Sequence, residues 1–175
     1  MNQLRHPFRI NVGFLFNQPI GYTREIPFEF PTITISNEFK FTDFNGIATF
    51  HRTQNGLRLL GSFKASTRVN CGRCLEDFDL PLQTDFEELY TFPNHPLSEN
   101  ETFIPENGFL DLGELIGDFL ILEIPINPVC KDDCKGLCKK CGQNLNLASC
   151  DHSPLDTNQD LVEMERMPTT KKDIP

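Results

Sequence analysis

Apolar and polar residues alternate with a period of two through the middle of the chain, most regularly between Leu57 and Glu87. Leu57, Leu59, Gly61, Phe63, Ala65, Thr67 and Val69 fall on one face, and Arg58, Ser62, Lys64, Ser66, Arg68 and Asn70 on the other, the pattern of a half-buried strand. After Cys71-Gly72-Arg73-Cys74 the alternation resumes, with Phe78, Leu80, Leu82, Thr84 and Phe86 set against Asp77, Asp79, Gln83, Asp85 and Glu87. A C-x-x-C at the tip of a β-hairpin follows. A thioredoxin-type C-x-x-C would instead open a helix, and the period of two after Cys74 argues against it. Upstream, Ile33, Ile35, Phe39 and Phe41 alternate, and a run from Ile47 ends at Asn55-Gly56. That dipeptide predicts a second hairpin closed by a type I′ turn with positive φ at both positions. Between Ile10 and Phe30 the apolar pieces are broken by Gly13, Pro19, Gly21 and Pro27, which predicts irregular strands or loops lying along a sheet.

The period changes once. Leu112, Leu115, Ile116, Phe119 and Leu120 hold the spacing of a buried helical stripe, predicting one main helix over 111–123, with Asp111 and Glu114 as a capping box and Pro125 as its stop. Gly113 and Gly117 each cost that helix roughly 1 kcal/mol against alanine, so tertiary packing must hold it. Pro93 to Gly108 reads as a surface loop, and 153–175 as a polar tail with one helical turn near Leu161 to Met164. The expected fold class is α+β: a β-rich body of antiparallel strands and hairpins over 1–129 with one main helix, then a Cys-rich zinc-knuckle segment over 130–152 and the tail.

Composition narrows the class further. Sixteen Phe, two Tyr and no Trp predict a core built on phenylalanine, and no apolar run reaches the roughly 18 residues of a membrane span. The first residues show no apolar stretch followed by a small-residue cleavage site, so a cytoplasmic address is expected. The net charge of −9 is uneven: residues 1–73 carry nine Lys/Arg against four Asp/Glu, and residues 74–130 carry none against thirteen. A basic face beside an acidic one suits RNA on one side and a basic protein on the other.

Five of the seven cysteines fall between Cys130 and Cys150, with His152 closing the series. In a reducing compartment such thiols are read as metal ligands, and seven cysteines with His152 make eight ligands, enough for one or two four-coordinate Zn2+ ions. Cys71 and Cys74 need two ligands from elsewhere, and Cys130 with Cys134 are the nearest unclaimed pair. Cys138, Cys141, Cys150 and His152 then form a local Cys3His set. The competing partition joins Cys71, Cys74, Cys138 and Cys141, leaving Cys130, Cys134, Cys150 and His152; the first is the more compact. Gly142, after the second cysteine of its C-x-x-C, allows the positive φ that aims backbone N–H groups at the sulfurs. Such closed ligand sets are structural, and no P-loop, dinucleotide glycine motif, nucleophile elbow or H-E-x-x-H accompanies them, so no enzymatic activity is expected.

The pieces Cys71-Gly72-Arg73-Cys74-Leu75-Glu76, the helix from Leu112 to Leu122, and above all the run from Cys134 to Asn146 resemble the YceD family, the large ribosomal RNA subunit accumulation proteins. That resemblance implies a non-enzymatic role in accumulation or processing of 23S ribosomal RNA and in large-subunit biogenesis. Many relatives end the motif with Cys-x-Cys where this chain has Cys150-Asp151-His152, and imidazole replaces thiolate at zinc without loss of the site. The partners expected are ribosomal RNA or a pre-ribosomal particle, with a basic large-subunit ribosomal protein as a further candidate and no membrane. Arg73, Lys131, Lys135, Lys139 and Lys140 surround the ligands and are the candidate RNA contacts. The alternative from another class is a zinc-thiol redox switch or chaperone.

Overall fold

The computed structural model describes residues 7–35, 39–92 and 102–152. The two alternating runs form β4 (Gly56–Asn70) and β5 (Asp77–Thr91), antiparallel in unbroken register from Gly56↔Thr91 to Asn70↔Asp77. β3 (Phe39–Arg52) pairs with the other side of β4, and β2 (Thr23–Ile35) pairs with β3. A two-residue strand, β6 (Thr102–Phe103), lies parallel to the end of β5, giving the sheet order β2-β3-β4-β5-β6. β1 (Arg9–Asn11) forms a separate two-stranded sheet with β7 (Phe109–Asp111), and a short 3-10 turn spans Gly13–Asn17. The chain divides into two compact units, Met1–Gly72 with Glu76–Cys130, and Arg73–Leu75 with Lys131–Pro175.

The first unit is strand-rich with a single helix among the described residues, α1 (Gly113–Leu122). Its core is a relay of phenyl rings. Phe8 meets Phe44 at 5.5 Å between centroids, Phe44 meets Phe63 at 5.6 Å, Phe63 stacks on Phe86 at 6.0 Å, and Phe86 stacks on Phe119 of α1 at 4.5 Å. Aromatic pairs in such geometry add about 0.5–1.5 kcal/mol each beyond the burial itself. Leu112, Ile116 and Leu120 are fully buried along one stripe, as the helical spacing requires. Gly117 is the contact point: a Cβ there would stand 2.6 Å from Ile35 Cγ2, so the weak helix former is what lets α1 approach β2.

Several expectations are corrected. The β3–β4 hairpin exists, but neither Asn55 nor Gly56 has positive φ, so there is no type I′ turn. Gly56 is instead the first residue of β4, where a Cβ would lie 1.8 Å from the Tyr90 carbonyl oxygen; close approach selects glycine there. Of the irregular strands or loops expected before Phe30, the part from Thr23 is a continuous strand, because Pro27 and Pro31 lie in β2, an edge strand that can spare backbone donors. α1 begins at Gly113 with Leu112 as N-cap, and no capping box forms. Asp111 is held in β7 opposite Arg9, and its Oδ1 accepts a hydrogen bond from the Gly113 N–H at 3.0 Å. The expected loop from Pro93 to Gly108 falls outside the described residues as far as 101. From Thr102 it adds β6, buries Ile104, and offers the Gly108 carbonyl to the N–H groups of Val12 and Gly13. The tail 153–175 lies outside the described residues.

Candidate metal centres

The hairpin tip between β4 and β5 is closed by the Cys71 N–H donating to the Glu76 carbonyl at 2.9 Å. Leu75 follows the second cysteine with φ of 60°, in the left-handed region that costs a branched side chain roughly 1–2 kcal/mol. Gly142 holds the same place after Cys141, with φ of 74°. The two C-x-x-C segments therefore share one backbone feature. Gly72 donates to the Pro128 carbonyl at 2.7 Å, and the Cys130 N–H points at Cys71 Sγ at 3.4 Å.

Within the second unit, Arg73 organises the chain that follows Cys130. Its Nη1 donates to the carbonyls of Asp132 and Cys134, both at 3.2 Å, while its own carbonyl accepts from Leu137 N–H at 3.1 Å. Gly136, with φ of 73°, passes so near that a Cβ would stand 3.0 Å from the Arg73 carbonyl oxygen. Asn146 ties the same segment together: its Oδ1 accepts from Lys135 N–H at 2.9 Å, and its Nδ2 lies 3.4 Å from Cys134 Sγ. A small turn then carries the remaining ligands. Leu137 and Asn144 form a β-bridge, Cys138 N–H donates to the Gln143 carbonyl, and Gly142 N–H donates to the Cys138 carbonyl.

Two groups result. The ligand atoms of Cys71, Cys74, Cys130 and Cys134 lie within 4.8 Å of one another, and those of Cys138, Cys141, Cys150 and His152 do likewise. No disulfide joins the seven cysteines. Zinc–thiolate bonds of about 2.3 Å in a tetrahedron set sulfurs roughly 3.8 Å apart, so both groups could hold such an ion with little adjustment. In the first group Cys71 is 0%, Cys74 4% and Cys134 5% exposed and Cys130 is half-buried; in the second, Cys138 is buried while Cys141 and His152 are exposed.

Thiol chemistry in the second group is uneven. The backbone N–H groups of Cys141 and Lys140 pull the Cys138 thiol down to about 6; burial opposes them, and hydrogen bonds with Cys150 and Cys141 assist. Cys150 moves the other way. The His152 N–H lowers it, but hydrogen bonding to Cys138, burial, Cys141 and the Cys138 charge together push it up.

The candidate RNA contacts are all exposed, but they are not equivalent. Arg73 uses its guanidinium on the loop carbonyls, and Lys131 lies 3.6 Å from Asp133. Lys135, Lys139 and Lys140 are presented around the two C-terminal cysteine turns. Sequence reasoning missed Leu75 and Asn146. A leucine in the left-handed region leaves no compositional trace, whereas Asn146 stands inside the run from Cys134 that carries the resemblance.

Among the described residues, fold and site define an α+β protein with mainly antiparallel sheets, one α-helix and two four-ligand cysteine clusters able to hold metal. The chain belongs to the YceD family: the model of the large ribosomal RNA subunit accumulation protein YceD matches residues 59–165. It is 47% identical over 132 residues to the large ribosomal RNA subunit accumulation protein YCED homolog 1, chloroplastic, of Arabidopsis thaliana, covering 57% of this chain and 40% of that one. An uncharacterized protein of Mycobacterium bovis is 34% identical over 94 residues, covering 51% of this chain and 45% of its own. The chain thus spans less than half the length of these curated relatives. No solved structure matches it. Among the described residues no helix is long and apolar enough to cross a membrane.

Proposed function

We propose that this chain is a cytoplasmic, non-enzymatic zinc-binding factor that supports 23S ribosomal RNA accumulation or processing, and with it large-subunit biogenesis. Membership of a family named for large ribosomal RNA subunit accumulation carries this reading. The site chemistry supports it: each group supplies four protein ligands, the closed arrangement of a structural ion rather than one with an open position for substrate. Zinc in these groups would hold the knuckles in shape, while Lys131, Lys135, Lys139 and Lys140 meet ribosomal RNA phosphates and Arg73 fixes the loop that presents them. The long acidic stretch offers a second partner surface to a basic large-subunit ribosomal protein.

Loss of the protein should lower the ratio of 23S to 16S ribosomal RNA, and restoring the chain should bring it back; an unchanged ratio would overturn the reading. Direct contact is tested with 23S fragments across a salt series. Single-stranded contacts give a log–log slope of about −0.7 per neutralised phosphate, so Lys139→Gln with Lys140→Gln should flatten the slope by up to ~1.4. Salt-independent or absent binding would move the role to protein contacts alone. The redox-switch or chaperone reading draws support from the exposure of Cys141. Zinc retained through mild peroxide, with every thiol protected, would exclude it.

A further inference from the structure

The two cysteine groups differ in ways that bear on how each would hold an ion, and the difference deepens the metal reading above, on which it rests. Cys71 is fully buried, Cys74 and Cys134 are at most 5% exposed and Cys130 is half-buried, and two of these sulfurs accept N–H donors, Cys71 from the Cys130 backbone and Cys134 from the Asn146 side chain. In the second group Cys141 and His152 are exposed, Cys150 is half-buried and Cys138 is buried.

Ligand exchange at zinc proceeds when an entering group reaches the ion or captures a ligand as it swings away. Both routes need solvent access at the ligand atoms. They also need an opening small enough to occur without global unfolding, and short exposed segments open at far lower cost than buried core. All four ligands of the second group lie between Cys138 and His152, in a stretch with one β-bridge, Leu137↔Asn144. Cys71 and Cys134 of the first group are anchored at places distant in the chain, and their sulfurs are closed to solvent.

We propose that the Cys138, Cys141, Cys150 and His152 centre is an exchangeable zinc site, in equilibrium with zinc and competing thiol or imidazole ligands in solution, whereas the Cys71, Cys74, Cys130 and Cys134 centre keeps its ion. The exchangeable centre makes the order of the turn bearing Lys139 and Lys140 depend on zinc supply. Scarcity empties this turn first and leaves the hairpin-tip centre loaded.

The test uses the full chain loaded with zinc and mixed with excess chromophoric chelator, 4-(2-pyridylazo)resorcinol, with release followed by absorbance. Two phases of equal amplitude are expected, at least about tenfold apart in rate. Cys141→Ser and, separately, His152→Ala should abolish or further accelerate the fast phase and leave the slow amplitude unchanged. Release of both ions in one phase, or loss of the slow phase in these variants, overturns the proposal. A chain that binds no zinc at all overturns the metal reading itself, a result distinguishable from either.

Discussion

Leu75 holds a backbone conformation that its side chain disfavours, one residue after Cys74, where Gly142 follows Cys141 at nearly the same φ. The side chain is 64% exposed, so it gains little from packing in return. Leu75→Gly should therefore relieve part of the left-handed cost, roughly 1 kcal/mol, less what glycine adds to the freedom of the unfolded chain. Equal or higher stability in urea is expected, with the metal content of the parent chain unchanged; a loss above about 1 kcal/mol would show that the leucine side chain is needed. Metal-ligand candidates were legible because chemistry restricts them to few residue types at few spacings. Asn146 was not, because an asparagine that supports a sulfur is spelled like one that caps a turn.

Strands were legible wherever one face is buried and the other wet. β4 and β5 follow the alternation residue by residue, with Leu59, Phe63, Leu82 and Phe86 buried as the pattern requires. β2 is legible only at Ile33 and Ile35, because an edge strand tolerates prolines and exposes both faces over much of its length. The helix was found, but its start was misplaced: Asp111 fits both a cap and a strand end, and pairing with Arg9 decided it. On the outer face Arg58 donates to both oxygens of Glu87, at 2.6 and 2.7 Å. The hydrogen bond to Arg58 is the main cause holding the Glu87 carboxyl below its usual value; slight desolvation opposes it and the Arg58 charge assists. A depressed folded value means the pair contributes above the ordinary carboxylate range and is lost as pH falls through the folded value. Glu87→Gln should thus give a shallower fall in stability below about pH 4.5 than the parent chain, measured by urea midpoints across pH. Parallel curves would show that the pair contributes nothing.

For the whole molecule, burial of the phenyl relay and the proposed ligation of metal would be separate sources of order. The relay from Phe8 to Phe119 needs no ion, while the segment from Lys131 to His152 has one β-bridge and little apolar burial. Zinc in small modules contributes on the order of 10 kcal/mol at neutral pH, more than such a segment has from other sources. Prolonged chelation at pH 7 should therefore expose peptide bonds after Lys131, Lys135, Lys139 and Lys140 to trypsin, while slow hydrogen exchange persists in β3, β4 and β5. Uniform loss of protection in both regions would show that the sheet also depends on metal.

The prolines of β2 bear on behaviour at high concentration. An outermost strand of thirteen residues, Thr23–Ile35, is a template on which a neighbouring copy can continue the sheet, and Pro27 and Pro31 interrupt that template. With valine at both positions the chain should form elongated oligomers detectable by light scattering at concentrations where the parent remains dispersed. These two residues would then guard against fibrous self-assembly, a risk inherent in so long a strand at the border of the described sheet.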